Sequence, residues 1–269
     1  MNTRKNLGVW LVAALLFVTS LGCRLIQFDV KALEVGELIT ETLTIDSEGA
    51  RAAQVSLTMA AGELEVGGGA AALMEAKFTY NVAEWTPEVS YTVDDEGRLT
   101  VRQPEFQGLP GRGRARNEWV LAFSEDMPLD MRVEYGAGTC ALDLGRLQVT
   151  RLSLNLGAGD AAVDFGGNTT LEDLKVDVGI GNLQLDLTGD WQHDVAVNIQ
   201  GGIGSIEILL PADIGTRVSV SQGIGNVNVR ELSRRDGVYV NALYGESDAT
   251  LDITVQAGLG NIDISVAGD

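Results

Sequence analysis

Six glycine pairs in the second half of the chain constrain its fold more than any other feature. Each pair encloses one Ala, Ile or Leu, and the six occupy positions 136–138, 157–159, 179–181, 202–204, 223–225 and 258–260. Counted from the first glycine, apolar residues recur at −5 and −3 and at +4, +6 and +8, with Glu231 as the one exception. Because alternation with period two is typical of strands, each unit is predicted to be a strand, a Gly-x-Gly turn and a second strand.

Such a unit has one apolar face that it cannot bury alone, so the units must stack. Like strands then pair from unit to unit, about 4.8 Å apart, and form two sheets that face each other across a thin core. The predicted fold class is all-β, a two-sheet β-solenoid-like stack of about seven units, including a degenerate copy at residues 57–66. The middle residue of each turn is expected to plug the end of the core. An insertion at 231–249, before the last glycine pair, is expected to cover one end of the stack.

The N-terminus has the pattern of a secretory signal. Residues 1–6 are basic, residues 7–18 carry no charge, and Cys23 follows small residues. The segment resembles the bacterial lipobox, in which the cysteine is acylated and becomes the new N-terminus, and acyl chains would hold the protein on a membrane. We predict a signal peptide at 1–22, lipidation at Cys23, a tether at 23–44, an irregular β half at 45–130 and a regular half at 131–269. An ordinary signal peptide and an uncleaved anchor are the alternatives.

Charge and composition exclude several function classes. The sequence has 19 Lys and Arg residues and 38 Asp and Glu residues, which gives a net charge of −19. A surface with this charge repels phosphate backbones, so nucleic acid is not expected as a partner. His193 is the single histidine, which excludes catalysis by a histidine pair. Cys140 has no cysteine to pair with once Cys23 is acylated, and is predicted to be a small buried hydrophobe.

Two groups of charged residues are candidate sites. Asp143, Asp164 and Asp186 occupy position +7 of three successive units, and like charges on neighbouring strands repel each other. A cation such as Ca²⁺ could relieve this repulsion; the alternative is a solvated acidic face. Three arginines form the second group, a predicted anion-binding loop that could reach a lipid phosphate, an anionic polymer or an acidic partner: Arg112, Arg114 and Arg116. The alternative is a solvated loop that pairs with the protein's own carboxylates.

Catalysis is not predicted, and neither is a cofactor. Glu88 and Glu118 could serve a polysaccharide-cleaving enzyme, but no spacing singles out an acid and a base. The glycine pairs lack the strand-to-helix context of a phosphate-binding loop. Trp85, Trp119 and Trp191 are predicted to pack inside the protein, with stacking on sugars as the alternative.

The residues also resemble known families. Segment 55–104, with Phe78-Thr79-Tyr80-Asn81, Trp85-Thr86-Pro87 and Gly97-Arg98-Leu99-Thr100-Val101, resembles the N-terminal domain of bacterial toast-rack envelope proteins. The glycine array, with Tyr239-Val240-Asn241-Ala242-Leu243-Tyr244 near its end, is similar to adhesin-type β-repeat domains and to the C-terminal domain of LiaF-type cell-wall stress proteins. The resemblance implies an envelope location and supplies no catalytic signature. The function expected is a surface-binding or adhesin-like scaffold with an envelope protein or polysaccharide as partner; the alternatives are a sensory or accessory role in envelope stress and a polysaccharide-acting enzyme.

Overall fold

The structure, a computed structural model, describes residues 32–105, 109–110 and 114–268. Cys23 and Arg112 lie outside these residues. One short 3₁₀ helix, Ala83–Trp85, accompanies sixteen strands in the described part of the chain, so the all-β prediction is confirmed. The strands are β1 Ala32–Leu33, β2 Ile39–Ile45, β3 Ala53–Gly68, β4 Met74–Tyr80, β5 Glu88–Val93, β6 Gly97–Arg102, β7 Leu109–Pro110, β8 Asn117–Phe123, β9 Pro128–Asp143, β10 Gln148–Asp164, β11 Asp173–Asp186, β12 Val195–Leu210, β13 Gly215–Val229, β14 Ser233–Arg235, β15 Val238–Val240 and β16 Thr250–Val266.

Seven long strands correspond to the predicted units and stack in parallel in the order β3, β9, β10, β11, β12, β16, β13. Like positions lie opposite each other; Ile180, for example, pairs with Ala158 on one side and Ile203 on the other. We call the residues before each Gly-x-Gly the first arm of the unit and those after it the second arm. Because each strand runs through its turn, the two predicted sheets are the two arms of one 14-stranded sheet.

The order of the last two units differs from the order in the sequence. The unit of β13 precedes that of β16 in the chain, but in the stack β16 lies between β12 and β13. The unit of β13 carries Glu231, the exception to the apolar pattern, and this carboxylate accepts a hydrogen bond from the Val266 N–H at 3.3 Å. A polar side chain at an inward position can be solvated only at the end of the stack, which is where β13 lies. The insertion at 231–249 lies at this end, but it covers only part of it, since β15 pairs antiparallel with β13 at Arg217 and Val218 alone.

The core lies between the two arms. Leu154 in a first arm and Leu183 in a second arm are both fully buried and belong to one apolar cluster. The only helix in the described residues is a single 3₁₀ turn, so the arms bury each other.

The turn residues do not plug this core, contrary to the sequence prediction. The side chains at the middle of the last four turns of the stack are 48–70% exposed: Ile180, Ile203, Leu259 and Ile224. The residue just before the turn, such as Leu156 or Val178, is buried and already fills the end of the core. The second glycine has a positive φ, +143° at Gly181, which changes the phase of the alternation and turns the middle residue outward.

The two arms separate in the N-terminal half. Residues 53–58 of β3 pair with β6, whereas residues 63–68 pair with β8, so each arm continues into its own strands. At the point of separation the Gln103 side chain accepts hydrogen bonds from the Ala60 and Ala61 N–H groups at 2.9 and 3.3 Å. Asn117 donates to the Ala61 carbonyl at 2.8 Å. These side chains make the backbone hydrogen bonds that the turn of an adjacent unit makes elsewhere in the stack.

Candidate binding faces of the stack

The outward side chains of the two arms form two faces of different charge. On the second arms, which we call the acidic face, the outward strand residues with charge are Glu63, Glu65, Asp143, Asp160, Asp164, Asp186, Glu207 and Asp263, and Arg230 lies at the rim. Part of this face is a groove of about 680 Å³ lined by Asp164, Glu207 and Arg230 among others. Seen as a whole, this face is strongly negative.

The first arms carry a balanced face. Its acidic and basic side chains form ion pairs at 2.7–3.1 Å, between Asp130 and Arg151, Glu134 and Arg132, Asp177 and Lys175, and Asp252 and Arg217. Two of these pairs, those of Arg151 and Arg217, join neighbouring strands of the stack. The net charge of the protein is therefore distributed unequally between the two faces.

The three aspartates of the predicted cation ladder are direct neighbours, because Asp164 lies opposite both Asp143 and Asp186. Asp164 accepts a hydrogen bond from the Gly166 N–H at 2.6 Å, and Asp186 accepts two from the N–H and hydroxyl of Thr188, at 2.8 and 2.6 Å. Each of these two carboxylates thus caps the turn that follows its strand. Within the described ranges, no cluster of three or more His, Cys, Asp or Glu is arranged to hold a metal ion. Cation binding by this row stays a prediction.

Two of the three loop arginines are described, and both are exposed. Asn81 fixes the backbone beside them, since it donates to the Arg114 carbonyl at 2.8 Å and accepts from the Arg116 N–H at 2.7 Å. The guanidinium of Arg116 pairs with Glu118, which raises the pKa of Arg116. Arg116 therefore does pair with one of the protein's own carboxylates, and anion binding by the loop stays a prediction.

The three tryptophans that were candidates for stacking on sugars are packing residues. Trp85, Trp119 and Trp191 are at most 5% exposed, and the ring of Trp119 packs edge to face on Phe78 with centroids 5.5 Å apart. This confirms the packing interpretation over sugar stacking.

Glu88, a candidate acid of the enzyme hypothesis, pairs with Arg102.

Cys140 has the structural role that the sequence predicted. Cys140 is fully buried, and burial raises the pKa of its thiol to about 12, so it is a neutral apolar side chain at neutral pH. Its neighbour Tyr135 donates a hydrogen bond to the Thr139 carbonyl at 2.9 Å, and burial raises the pKa of this phenol too. His193 lies in the connection between β11 and β12, with Nε2 2.9 Å from the Leu171 carbonyl oxygen.

The charge difference between the two faces was not part of the sequence analysis. The signal is present in the outward positions +3 and +5, which carry Asp160, Glu207 and Asp263, but it emerges only when the charges of all second arms are summed and compared with those of the first arms. No local sequence pattern predicts the hydrogen bonds of the buried side chains Gln103 and Asn117, because their partners lie more than ten residues away in the chain.

The fold and its two faces define an all-β protein built from stacked Gly-x-Gly units. The family model for the N-terminal domain of toast_rack (DUF2154) matches residues 34–170, just over half of the sequence. The chain therefore belongs to the toast_rack family, as its motifs suggested. The model for the C-terminal domain of LiaF, a cell wall-active antibiotics response protein, matches residues 158–264.

Two solved bacterial structures are similar to this chain. A putative cell adhesion protein from Clostridium sporogenes is 28% identical over 86% of this chain and all of that one, with a TM-score of 0.67. A putative adhesin from Bacteroides fragilis is 11% identical over 87% of this chain and all of that one, with a TM-score of 0.43. No curated protein matches the sequence. The described residues include no helix with the length and apolar character needed to cross a membrane.

Proposed function

We propose that this protein is a non-catalytic, lipid-anchored protein of the bacterial cell envelope that acts as a surface-binding or adhesin-like scaffold. The observation that carries the proposal is the register of the stack, which places like positions of the units opposite each other on two outer faces. The apolar side chains at the alternating inward positions are buried between the arms, so the outward polar rows are left for a ligand.

This geometry suits an extended ligand. Rows of side chains repeat about every 4.8 Å, and the strands that carry them are hydrogen-bonded on both sides throughout the middle of the stack. A rigid, preformed surface loses little conformational entropy on binding, which favours affinity for a polymer or for a second protein surface. The 28% identity to a putative cell adhesion protein supports this function, and acylation at Cys23 would hold the scaffold at the membrane.

A sensory or accessory role in the envelope stress response is the second candidate. It is favoured by the match of residues 158–264 to the C-terminal domain of LiaF. This role requires contact with one particular membrane protein, whereas a scaffold for wall or capsule polymer does not.

Crosslinking in cells followed by pull-down of the full chain separates these functions. Three variants accompany the wild type: Cys23→Ala; an acidic-face triple variant with Asp164→Asn, Asp186→Asn and Glu207→Gln; and a matched triple variant on the balanced face with Glu134→Gln, Asp177→Asn and Asp252→Asn. Asparagine keeps the acceptor oxygens with which Asp164 and Asp186 cap their turns.

We expect the wild type to recover envelope polymer and one of the two triple variants to lose it, which would identify the binding face. Recovery of a single membrane protein, lost with Cys23→Ala, would instead support the sensory role. Cleavage of the recovered polymer by the purified chain would contradict a non-catalytic function, and recovery of neither partner would contradict the scaffold.

A further inference from the structure

The stack ends on a strand whose outer edge is largely open. β15 pairs with β13 only at Arg217 and Val218, and residues 219–229 have no strand partner on that side among the described residues. Val227 is 37% exposed, although Ile262 and Leu183 at the same position in other units are fully buried. The apolar core is therefore partly exposed at this end.

This open edge is also uncharged. Residues 219–229 read Ser-Val-Ser-Gln-Gly-Ile-Gly-Asn-Val-Asn-Val, without one charged residue in a chain that has 57 of them, 19 basic and 38 acidic. Proteins usually protect an exposed sheet edge with charges, proline or a bulge. A second copy of this chain would be repelled by most of the surface because of the net charge of −19, but not at this edge.

The bend of β13 restricts what can pair with it. The strand turns at Gly223-Ile224-Gly225, where Gly225 has a φ of +140°. A straight peptide could pair with only one arm, whereas a strand with the same bend could pair with both. Residues 219–228 of a second copy have this bend.

The sequence of β13 is complementary to itself in an antiparallel arrangement. A two-fold axis between Gly223 and Ile224 brings the first arm of one copy against the second arm of the other, and antiparallel pairing follows because the arms run toward and away from the turn. In this register Val220 lies opposite Val227 of the second copy, and Ser221 lies opposite Asn226. Inward apolar residues meet each other, and so do outward polar residues, so the core continues from one stack into the next.

We propose that two copies of this protein join end to end through the open edges of β13, in an antiparallel pair about a two-fold axis between Gly223 and Ile224. The pairing covers the exposed end of the core and joins the acidic face of each copy to the balanced face of the other. It goes beyond the scaffold function and does not depend on the ligand.

Disulfide trapping of the full chain in detergent tests the register. In a Cys23→Ser background, Ser221→Cys and Asn226→Cys are made as separate proteins, purified and then mixed under mild oxidation; Cys140 stays buried. We expect the mixture to form a covalent dimer, because opposite residues of an antiparallel pair have Cα atoms about 4.5–5.5 Å apart. Each protein alone should form far less, because its two cysteines would lie five positions apart along the shared edge, on different arms.

Sedimentation of the same full chain tests whether the open edge of β13 holds the dimer together. The wild type should be a dimer at about 0.1 mM, and Ser221→Lys with Asn226→Lys should shift it to monomer by placing four like charges along the shared edge. A matched pair of substitutions, Ser153→Lys with Asn155→Lys on the interior strand β10, should leave the dimer intact. Far-UV circular dichroism verifies that both variants fold.

Three results would overturn the proposal: a monomeric wild type at that concentration, a dimer that persists in the β13 lysine variant, or a mixture of cysteine proteins that crosslinks no better than either protein alone. A monomeric chain that holds a strand of another protein, a wall polymer or a lipid on this edge would also overturn it.

Discussion

At the scale of single residues, the two glycines of each turn are required for different reasons. The first, such as Gly179, has an ordinary φ, but a Cβ there would collide with the Gly157 carbonyl oxygen of the preceding unit. The second, such as Gly181, has a φ of +143°, and a Cβ there would collide with the Gly159 carbonyl oxygen. The spacing of the stack therefore depends on the absence of side chains at both positions.

Gly181→Ala should destabilise the protein by at least about 3 kcal/mol, because backbone strain and overpacking act together. Gly237→Ala is the control, since Gly237 also has a positive φ, +88°, but open space around it; its cost should be about 1–2 kcal/mol. Urea unfolding measures both. Equal losses would show that stacking distance is not what selects glycine at the turns.

Stability should fall as the pH rises above about 9, and Cys140 should contribute to this loss. Burial raises the pKa of the Cys140 thiol from 9.0 to about 12, so between these values the unfolded chain has released a proton that the folded chain still holds. Stability from this group is complete below pH 9 and falls with a limiting slope of about 1.4 kcal/mol per pH unit up to about pH 12. Urea unfolding across this range should show a shallower decline for Cys140→Ala; parallel curves would contradict the role of the thiol.

At the scale of the elements, one strand contains both buried and exposed isoleucines. In β12, Ile206 is 4% exposed and Ile203, in the turn, is 50% exposed. In a strand that buries one face, inward and outward side chains alternate only up to the turn. There the second glycine shifts the alternation by its positive φ.

Ile206→Ala should cost about 2–5 kcal/mol, because it leaves a cavity in the core. Ile203→Ala, the same substitution three residues earlier, should stay within about 0.5 kcal/mol, as expected of a surface change. Denaturant midpoints of the two variants provide the comparison. A large loss of stability in Ile203→Ala would show that the turn residues do fill the end of the core.

The aspartate row of strands β9, β10 and β11 should be a source of repulsion at low salt. The triple variant Asp143→Asn, Asp164→Asn, Asp186→Asn should gain about 0.5–1 kcal/mol of stability, and the gain should shrink as salt screens the charges. The matched triple variant Asp130→Asn, Asp177→Asn, Asp252→Asn should gain nothing, since each aspartate forms an ion pair.

Calcium separates the two interpretations of this row. If the row binds Ca²⁺, the ion should raise the melting temperature of the wild type more than NaCl of equal ionic strength, and the first triple variant should lose that gain. Identical effects of the two salts would contradict the cation ladder.

At the scale of the whole molecule, the last strand in the sequence is an interior strand of the stack. β16 pairs with β12 on one side and with β13 on the other. Among the described strands of the stack, β13 is therefore paired only with β16, which is synthesised after it.

A chain that ends at residue 249 should lose the strand content of the C-terminal half, because β12 and β13 lose their shared partner. A chain that ends at residue 266 retains all of β16 and is the control. Far-UV circular dichroism and limited proteolysis report the outcome. A truncated chain with unchanged resistance to protease would show that β12 and β13 can pair directly.

The sequence by itself determined the repeating unit, the burial of Cys140 and the register of Asp143, Asp164 and Asp186, because strand alternation and the turn glycines are local patterns with fixed spacing. Only the tertiary structure decided that β16 precedes β13 in the stack and that Ile203 faces solvent. Strand alternation and turn glycines repeat in every unit and do not fix the order of the units, and the exposed position of Glu231 at the end of the stack is seen only in the assembled structure. The unequal charge of the two faces likewise required the register of all seven strands, since it is a sum over residues far apart in the chain.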